Sequence, residues 1–327
     1  MKKKGFVCLI LIILTTACSK TSQAPISDHI TVQLKWVHQA QFAGFYAAQE
    51  KNYYQDENID VEFHPGGINI DIIEEVLSGH ADIGVASSDM LIGRISEGAP
   101  IKAIAVTYRV NPFILIALPD SGIVTPKDMI GKKIAVIEGY DKAQMMTLLA
   151  INGISPDDYT MVPYEYSLDP LINGSVDVIP SFLAGTQIEV KKQIGDVNII
   201  YPGDYGIHFY SDTIFTTNAM IENNPDLVLR FLRATLKGHQ YAIAHAQEAA
   251  EISMKYAQNK DLDIQTEMAY ASIPLIHTGE NQIGWMNEDI WAGMIDILSE
   301  QNMLTNPVNI EDVYTMDFLY QIYGGTP

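Results

Sequence analysis

The sequence contains little cysteine, little positive charge and no spacing typical of a metal site. Of its 327 residues, 2 are cysteine, and 20 Lys and Arg residues stand against 40 Asp and Glu residues, which gives a formal net charge of −20. An acidic surface repels phosphate backbones, and no basic patch is interleaved with aromatic residues, so nucleic acid is excluded as a partner. Because neither His-x-x-x-His nor Cys-x-x-Cys occurs, we expect no metal, no cofactor and no enzymatic activity.

The chain begins with a segment typical of exported proteins. Three lysines at positions 2–4 precede an apolar run that ends by residue 14, too short for a membrane-spanning helix of roughly 20 residues. Residues 15–19, Thr-Thr-Ala-Cys-Ser, resemble a bacterial lipobox. We therefore predict a signal peptide at residues 1–17 and a lipid on Cys18 that holds the mature protein at the outer face of the cell membrane; a chance cysteine is the alternative. Loss of the leader removes Cys8 and three lysines, which excludes a disulfide and makes the formal charge about −23.

The rest of the chain predicts two lobes. A polar tether at residues 18–29 is followed by roughly 300 residues, more than one small core usually holds. Residues 76–84 (VLSGHADIG) and 171–179 (LINGSVDVI) both have the pattern of a helix end, a Gly and an Asp before a short buried strand. They indicate one such unit in each lobe, unless both converged on a common connector. Small polar residues follow both strands, so these loops are expected to line opposite walls of one cleft.

The stretch from Trp36 to Tyr46 is the leading candidate for a ligand-facing loop. Residues 30–36 alternate polar and apolar side chains, as a half-buried strand does, and helical spacing begins at Phe42. In open α/β sheets, ligands bind beyond the carboxyl ends of strands and near helix N termini. Trp36 can stack on a flat ring, while Gln39 and Gln41 can donate to and accept from its edge. The alternative is a core Trp36 with ordinary loop glutamines.

Other predicted strands end in similar side chains. Residues 113–118 and 134–137 form apolar runs, and in the loop after the second, Asp141 is expected to cap a helix that begins near Lys142. The aromatic and polar stretch 205–212 precedes a third apolar strand; a packed surface turn is its alternative reading. Asn224 as cap, followed by Pro and Asp, predicts a long scaffold helix.

Several stretches together resemble one family. They are residues 34–36, 42–46, 50–51, 79–85, 128–133, 224–228 and 231–235, with Tyr314, Phe318 and Leu319. Their order and spacing are similar to those of the NMT1/THI5-like family of ABC-transporter substrate-binding proteins over nearly the whole mature chain. The resemblance implies an α/β, two-lobed, periplasmic-binding-protein-like fold of type II with a cleft between the lobes. It places lobe 1 at residues 30–117 and 214–327 and lobe 2 at residues 118–213, with crossovers near 115–118 and 212–216.

The resemblance also implies a role. Family members bind thiamine pyrimidine precursors, riboflavin or other small organic compounds, and residues 41–46 (QFAGFY) with 63–67 (FHPGG) are more similar to the riboflavin-binding branch. The family's yeast pyrimidine synthases carry a Cys-rich motif that the mature chain, with Cys18 alone, lacks. Where pyrimidine binders place Asn and Glu, this chain has Gly185-Thr186-Gln187. We expect a lipid-anchored, monomeric binding protein that delivers a small heteroaromatic ligand to an ABC permease and its ATPase. The alternatives are a ligand-sensing lipoprotein of the same fold and, less favoured, a pyrimidine-precursor enzyme.

The expected site combines strand-end loops of both lobes. Its predicted ligand-binding residues are Trp36, Gln39, Gln41, Phe42, Tyr46, Ser87, Ser88, Asp89, Tyr108, Glu138, Tyr140, Asp141, Phe182, Gly185, Thr186, Gln187, Tyr205, Tyr210 and Asp212. In this arrangement Trp36 and its glutamines form one wall, and the loops of Tyr140 and Phe182 form the other.

Overall fold

The computed structural model describes residues 27–137, 141–279 and 282–325. Its strands are β1 Asp28–Gln33, β2 Ile59–His64, β3 Ile83–Ser87, β4 Ile101–Val106, β5 Phe113–Ala117, β6 Lys133–Val136, β7 Thr160–Pro163, β8 Ile179–Phe182, β9 Asn198–Ile200 and β10 Asp212–Thr217. Its α-helices are α1 Ala43–Glu50, α2 Tyr53–Asp56, α3 Ile72–Leu77, α4 Ser88–Ser96, α5 Asp141–Ile151, α6 Asp169–Ile172, α7 Thr186–Ile194, α8 Asn218–Asn223, α9 Pro225–Ala244, α10 Ala246–Ser253, α11 Leu262–Ile276, α12 Glu288–Glu300, α13 Ile310–Val313 and α14 Asp317–Tyr323.

The first sheet has the strand order β2-β1-β3-β10-β4. β1 pairs in parallel with β2 and β3, whereas β10 runs antiparallel between β3 and β4. The alternation expected around β1 is present only in part: Ile30, Val32 and Leu34 are fully buried and Thr31 is half-buried, but Gln33 is buried as well. The carboxyl ends of β1, β3 and β4 and the start of β10 therefore meet at one edge of this sheet.

The second sheet is built from strands β5 to β9. β5 pairs antiparallel with β8 and β9, and β6 pairs in parallel with β7. The Ala135 amide donates to the Val178 carbonyl at 2.8 Å, which places β6 beside β8. The order β7-β6-β8-β5-β9 follows. β5, buried along its whole length, is the central apolar strand that its composition predicts.

The two sheets repeat one unit, as residues 76–84 and 171–179 suggested. In both, a helix ends at a glycine in the left-handed region, with φ of 77° at Gly79 and 75° at Gly174. Asp82 then accepts a hydrogen bond from the Thr31 amide at 2.8 Å, and Asp177 accepts one from the Lys133 amide at 2.8 Å. Each aspartate thus fastens its helix–strand connection to a neighbouring parallel strand, β1 in the first sheet and β6 in the second.

Strand pairing moves the expected lobe boundaries toward the N terminus. We had placed residues 30–117 in lobe 1 and 118–213 in lobe 2, but β5 pairs within the second sheet and β10 within the first. An apolar run indicates a buried strand without indicating which sheet it joins, so the crossovers expected at 115–118 and 212–216 were wrong. We propose that the crossovers are residues 107–112 and 201–211, which lie side by side where the Ser211 amide donates to the Tyr108 carbonyl at 3.0 Å.

The long scaffold helix expected after Asn224 is α9. Asn224 occupies the N-cap position, but its side chain makes no capping hydrogen bond, which corrects one detail of the prediction. The face formed by Val228, Phe231 and Leu232 is buried, because it packs against the first sheet's helices. Within the described ranges, no helix is both long and apolar enough to cross a bilayer.

Candidate functional site

A row of hydrogen-bonded polar side chains crosses the edge of the first sheet. Gln39 donates to Gln41 at 2.7 Å, and Gln41 donates to one carboxylate oxygen of Asp212 at 2.6 Å. The other oxygen of Asp212 accepts from Lys35 Nζ at 3.0 Å, and the same ammonium lies 3.0 Å from Ser211 Oγ. The Asp212 side chain is 2% exposed and that of Lys35 is 18% exposed. The row therefore holds a nearly buried ion pair with uncharged amides at its outer end.

Backbone contacts fix both ends of this polar row. The loop after β1 lies against the loop after β2, where the Gly66 amide donates to the Trp36 carbonyl at 2.9 Å. A Cβ at Gly66 would lie 2.3 Å from the Leu34 carbonyl oxygen, so this close approach requires glycine. At the other end, the Asp212 carbonyl accepts from the Thr107 amide at 2.8 Å. The row thus joins the loop that follows β1 to both proposed crossovers.

Trp36 faces an aromatic side chain of the other sheet. Its ring and that of Tyr166, which follows β7, have centroids 6.4 Å apart and planes inclined by 23°. Trp36 is half-buried and Tyr166 is exposed. Tyr166 has a φ of 53°, a left-handed conformation uncommon for an aromatic residue and typical of functional sites when it occurs. Two partly exposed aromatic rings, one from each lobe, thus meet where the sheets adjoin.

The amino end of α4 also reaches the second lobe, at helix α5. Ser87 is the N-cap residue, and Ser88 and Asp89 form the first turn, where a carboxylate is stabilised by the helix dipole. Ser88 and Asp89 are fully buried. Ser88 hydrogen-bonds Thr213, and Asp89 lies 3.5 Å from the amide nitrogen of Gln144 on α5. These residues link the lobes, with Asp89 at the junction.

Family membership follows from the sequence match. A model of the family described as "NMT1/THI5 like" matches residues 39–249, well over half of the chain. The chain belongs to the NMT1/THI5-like family. The match begins inside the polar row, at Gln39, and includes Asp89, Tyr166 and Asp212.

Several relatives of this NMT1/THI5-like chain carry names, and two of them align over nearly their full length. It is 23% identical to "Riboflavin-binding protein RibY" of Chloroflexus aurantiacus (95% of this chain, 96% of that protein). It is also 23% identical to "Formylaminopyrimidine-binding protein" of Halalkalibacterium halodurans (96% and 99%). A Legionella pneumophila protein named "4-amino-5-hydroxymethyl-2-methylpyrimidine phosphate synthase" is 25% identical over 71% of this chain and 74% of its own length.

Solved structures share the fold. The periplasmic aliphatic sulphonate binding protein SsuA from Escherichia coli superposes with a TM-score of 0.72 at 14% identity, covering 87% of this chain and 91% of that chain. This match and the two sheets described above confirm the α/β, two-lobed type II binding-protein fold.

Other predicted residues of the NMT1/THI5-like chain lie in the second lobe. Phe182 is half-buried and packs edge-on against Phe113, with centroids 6.0 Å apart. Thr186 is exposed, and its hydroxyl lies 2.9 Å from Ser181 Oγ. Gly185 is the buried N-cap of α7, and Gln187 is half-buried in its first turn. This loop stays a predicted wall of the site, with Phe182 its only aromatic.

Two predicted contacts, Phe42 just before α1 and Tyr46 on it, belong to the core. Phe42 and Tyr46 are fully buried in the first lobe. Tyr46 stacks on Tyr256 with centroids 4.2 Å apart, and its hydroxyl lies 2.9 Å from His38 Nδ1. Burial raises the pKa of Tyr46 above its usual value and lowers that of His38. Helical spacing identified the buried face of α1 correctly but did not separate core from ligand contact, so we leave both residues out of the proposed site.

The tyrosines near the crossovers have structural partners. Tyr108 is buried, and its hydroxyl lies 2.6 Å from Ser272 Oγ. Tyr210 is buried and accepts from the Asn287 amide at 2.8 Å. Burial raises the pKa of both phenols. Tyr205 is half-buried against the core. In this conformation Tyr108 and Tyr210 brace the crossovers and offer no exposed surface to a ligand.

Some predictions lie outside the described residues. Cys18, Glu138 and Tyr140 are among these, as is the side chain of Asp141. α5 begins at Asp141, one residue before the expected start. Within residues 27–137, 141–279 and 282–325, no cluster of three or more His, Cys, Asp or Glu side chains could hold a metal ion.

Sequence reasoning missed four residues that this site contains. Lys35 and Ser211 flank predicted residues, and a lysine at the carboxyl end of a buried strand was an available signal. Gln144 lies on a helix whose amino end had been predicted. Tyr166 gave no local signal, because it follows β7, a four-residue strand with mostly exposed side chains.

Proposed function

We propose that this chain is the extracytoplasmic binding lipoprotein of an ABC importer and that it captures a small, flat heteroaromatic compound for delivery to a permease. One observation carries the proposal: Trp36 and Tyr166, from different lobes, face each other beside the polar row that ends at Asp212. Hinge closure of two lobes around a ligand is the usual motion of this fold.

The ring spacing suits a sandwiched ligand. A flat ring between two aromatic faces needs about 7 Å, because carbon atoms in contact lie roughly 3.5 Å apart on each side. The Trp36 and Tyr166 centroids are already 6.4 Å apart. The two lobes therefore bring these rings within reach of one flat ligand, and hinge opening or a slide of the Tyr166 loop admits its ring. Stacking of this kind adds about 0.5–1.5 kcal/mol to the burial of the ring itself.

The polar row supplies donors and acceptors for the edge of such a ring. Gln39 and Gln41 are half-buried, and each carboxamide has both a donor and an acceptor group. Asp212, itself paired with Lys35, accepts a hydrogen bond from Gln41, so the orientation of Gln41 is set before the ligand arrives. Preorganised polar groups lose little entropy when the ligand binds. We assign edge recognition to Gln39 and Gln41 and the positioning of Gln41 to Asp212.

The names of the relatives narrow the ligand class. The two full-length relatives are named for riboflavin and for formylaminopyrimidine, and both compounds contain a flat nitrogen heterocycle. We favour a riboflavin-like ligand, with a thiamine pyrimidine precursor next. Relatives named as synthases align over smaller shares of this chain, 71% in one and 86% in another, than the two named as binding proteins, so we propose binding and delivery rather than catalysis.

The test measures ligand affinity and thermal stability on the same samples. Trp36→Ala should weaken the binding of riboflavin or formylaminopyrimidine at least roughly tenfold, since ring burial and stacking together exceed about 1.4 kcal/mol. Its melting temperature should change little because Trp36 is only half-buried. Trp285→Ala is the matched control: Trp285 packs edge-on against Tyr320 at 5.6 Å in the first lobe, so its loss should lower stability without changing affinity.

Either of two results would contradict the proposal. One is parental affinity in folded Trp36→Ala protein, which would assign Trp36 to the core. The other is the absence of binding to both compounds, together with no retained small molecule in native mass spectrometry of the protein as purified.

A further inference from the structure

A cavity lies in the second lobe, separate from the proposed ligand site. Its volume is about 370 Å³, and all its lining residues fall between positions 135 and 179, so one lobe alone builds it. Small-molecule sites in proteins typically measure roughly 300–1,000 Å³. None of the residues assigned above to ligand binding lines this cavity, and its occupant would not need the lobes to close.

The floor of the cavity is apolar and its mouth is acidic. Ala135, Val176 and Ile179 form the floor and are buried. Glu165 and Asp169 lie at the mouth, where both are exposed. Within the part of the chain that the structure describes, neither carboxylate has an ion-pair or side-chain hydrogen-bond partner, and no Lys or Arg lines the cavity. An apolar body with a positive charge complements this surface.

The aromatic wall adds a second source of attraction for a cation. Tyr164 lines the cavity and is half-buried. An ammonium group within about 6 Å of a tyrosine ring is attracted by the negative face of its π-system. Hydroxyl and amide groups nearby are already engaged in turns: Ser167 accepts from the Asp169 amide at 3.1 Å, and Ser175 donates to the Pro170 carbonyl at 3.2 Å. The charged groups of the cavity are its two carboxylates, from Glu165 and Asp169.

We propose that this cavity is a second binding site, for a small organic ammonium ion with an apolar ring or chain. The apolar body lies on the floor formed by Ala135, Val176 and Ile179, and the ammonium group lies between Glu165 and Asp169. This site is independent of the function proposed above.

The position of the cavity allows its occupant to affect the proposed ligand site through neighbouring side chains. The Tyr164 ring lies 5.0 Å from that of Tyr166, which in turn faces Trp36 across the lobes. A molecule packed against Tyr164 restricts the loop that carries Tyr166. Because coupling between two sites is reciprocal, each ligand then changes the affinity of the other by the same factor. This coupling, unlike the cavity site itself, rests on the proposed function.

The test uses phenethylamine, a cation at pH 7, and its neutral analogue 2-phenylethanol. Titration of the isotope-labelled mature chain by NMR should show at least tenfold tighter binding of the amine, with the largest shifts at Tyr164, Ser167 and Ser175. Glu165→Gln with Asp169→Asn should remove that preference and leave the affinity for 2-phenylethanol unchanged.

Two further variants distinguish binding in the cavity from a general effect of the protein's negative charge. Asp120→Asn with Asp157→Asn removes the same charge from exposed positions of the same lobe and should leave the preference for the amine intact. Ala135→Leu fills the cavity and should abolish binding of both probes while the protein stays folded by circular dichroism. Equal affinity for the two probes, or an equal loss in the Asp120/Asp157 variant, would overturn the proposal.

The coupling has a separate readout. The affinity for riboflavin or the pyrimidine should change at least threefold when phenethylamine saturates the cavity, and not in the Ala135→Leu variant. If the amine binds but that affinity is unchanged, the second site stands and the coupling is wrong. If the amine does not bind at all, the second site is wrong whatever the result of the Trp36 experiment.

Discussion

Replacing Asp212 by Asn should expose how strongly the polar row depends on its ion pair. The Asp212 carboxylate accepts from Lys35 at 3.0 Å and from Gln41 at 2.6 Å, and its side chain is 2% exposed. Asn at this position keeps the shape and can still contact Gln41. It leaves the Lys35 ammonium beside a neutral group in a nearly buried environment.

The structure sets the size of the effect. Breaking a buried ion pair by removing one partner costs about 3–5 kcal/mol. The Lys35 side chain is 18% exposed, so its ammonium can turn partly toward water, and we expect a loss of about 3 kcal/mol at the lower end of that range. For roughly 300 residues, with an unfolding entropy of about 2.1 cal/mol/K per residue, a loss of about 3 kcal/mol lowers the melting temperature by roughly 5 °C.

A double-mutant cycle makes the measurement specific. Urea unfolding of Asp212→Asn, Lys35→Met and the double variant gives three free energies of unfolding. Because the double variant removes both members of the ion pair, it should lie within about 1 kcal/mol of the parent. Ligand affinity on the same samples should fall in Asp212→Asn, since Gln41 loses its charged acceptor.

The outcome that refutes this reasoning is additivity. If the double variant is as unstable as the sum of the single variants, the two side chains act independently and the row is not organised by the pair. A loss below about 0.5 kcal/mol in Asp212→Asn, typical of exposed positions, would also contradict it.

Three other predictions concern separate parts of the chain. Burial lowers the pKa of His239 to about 4, so the unfolded state binds an extra proton between pH 6.5 and about 4. The free energy of unfolding should therefore fall by up to about 3 kcal/mol as pH is lowered through that window. Urea unfolding of His239→Gln at several pH values should lack this part of the decline. Gly79→Ala and Gly174→Ala, at φ of 77° and 75°, should each lower the free energy of unfolding by about 1–2 kcal/mol. The control Gly293→Ala, inside α12 with open space around it, should not destabilise the protein. Equal effects at the three positions would contradict the backbone argument. Cys18→Ala should release the protein from membranes on cell fractionation, and retention would disprove the lipid anchor.

The fold was largely predictable because its signals are local. Alternation over residues 30–36 and the apolar runs 113–118 and 134–137 predicted strands that the structure contains to within a few residues. The glycine and aspartate shared by 76–84 and 171–179 predicted a repeated connection. Each signal depends on a dihedral angle or on one buried face, which neighbouring residues determine.

The site was less predictable because its contacts are between distant residues. Lys35 and Asp212 are separated by 177 positions, and no local pattern pairs them. Tyr166 follows a short, exposed strand and reaches Trp36 only because the two sheets adjoin. Conversely, Tyr46 is a residue type that often contacts ligands, yet its ring packs on Tyr256 in the core. Residue type and spacing identify surfaces that are buried, but the partner in each contact depends on the assembled lobes.

The central place of β10 in the first sheet has a consequence for folding during synthesis. β4 is joined to the rest of that sheet only through β10, which is made about a hundred residues later. The strands of the second sheet lie between them in the sequence, so that sheet can form while the first is still in two pieces. Closing such long chain separations is slow. We therefore expect the second lobe to appear first as the chain emerges, and the first lobe to acquire its cooperative core only after residue 217.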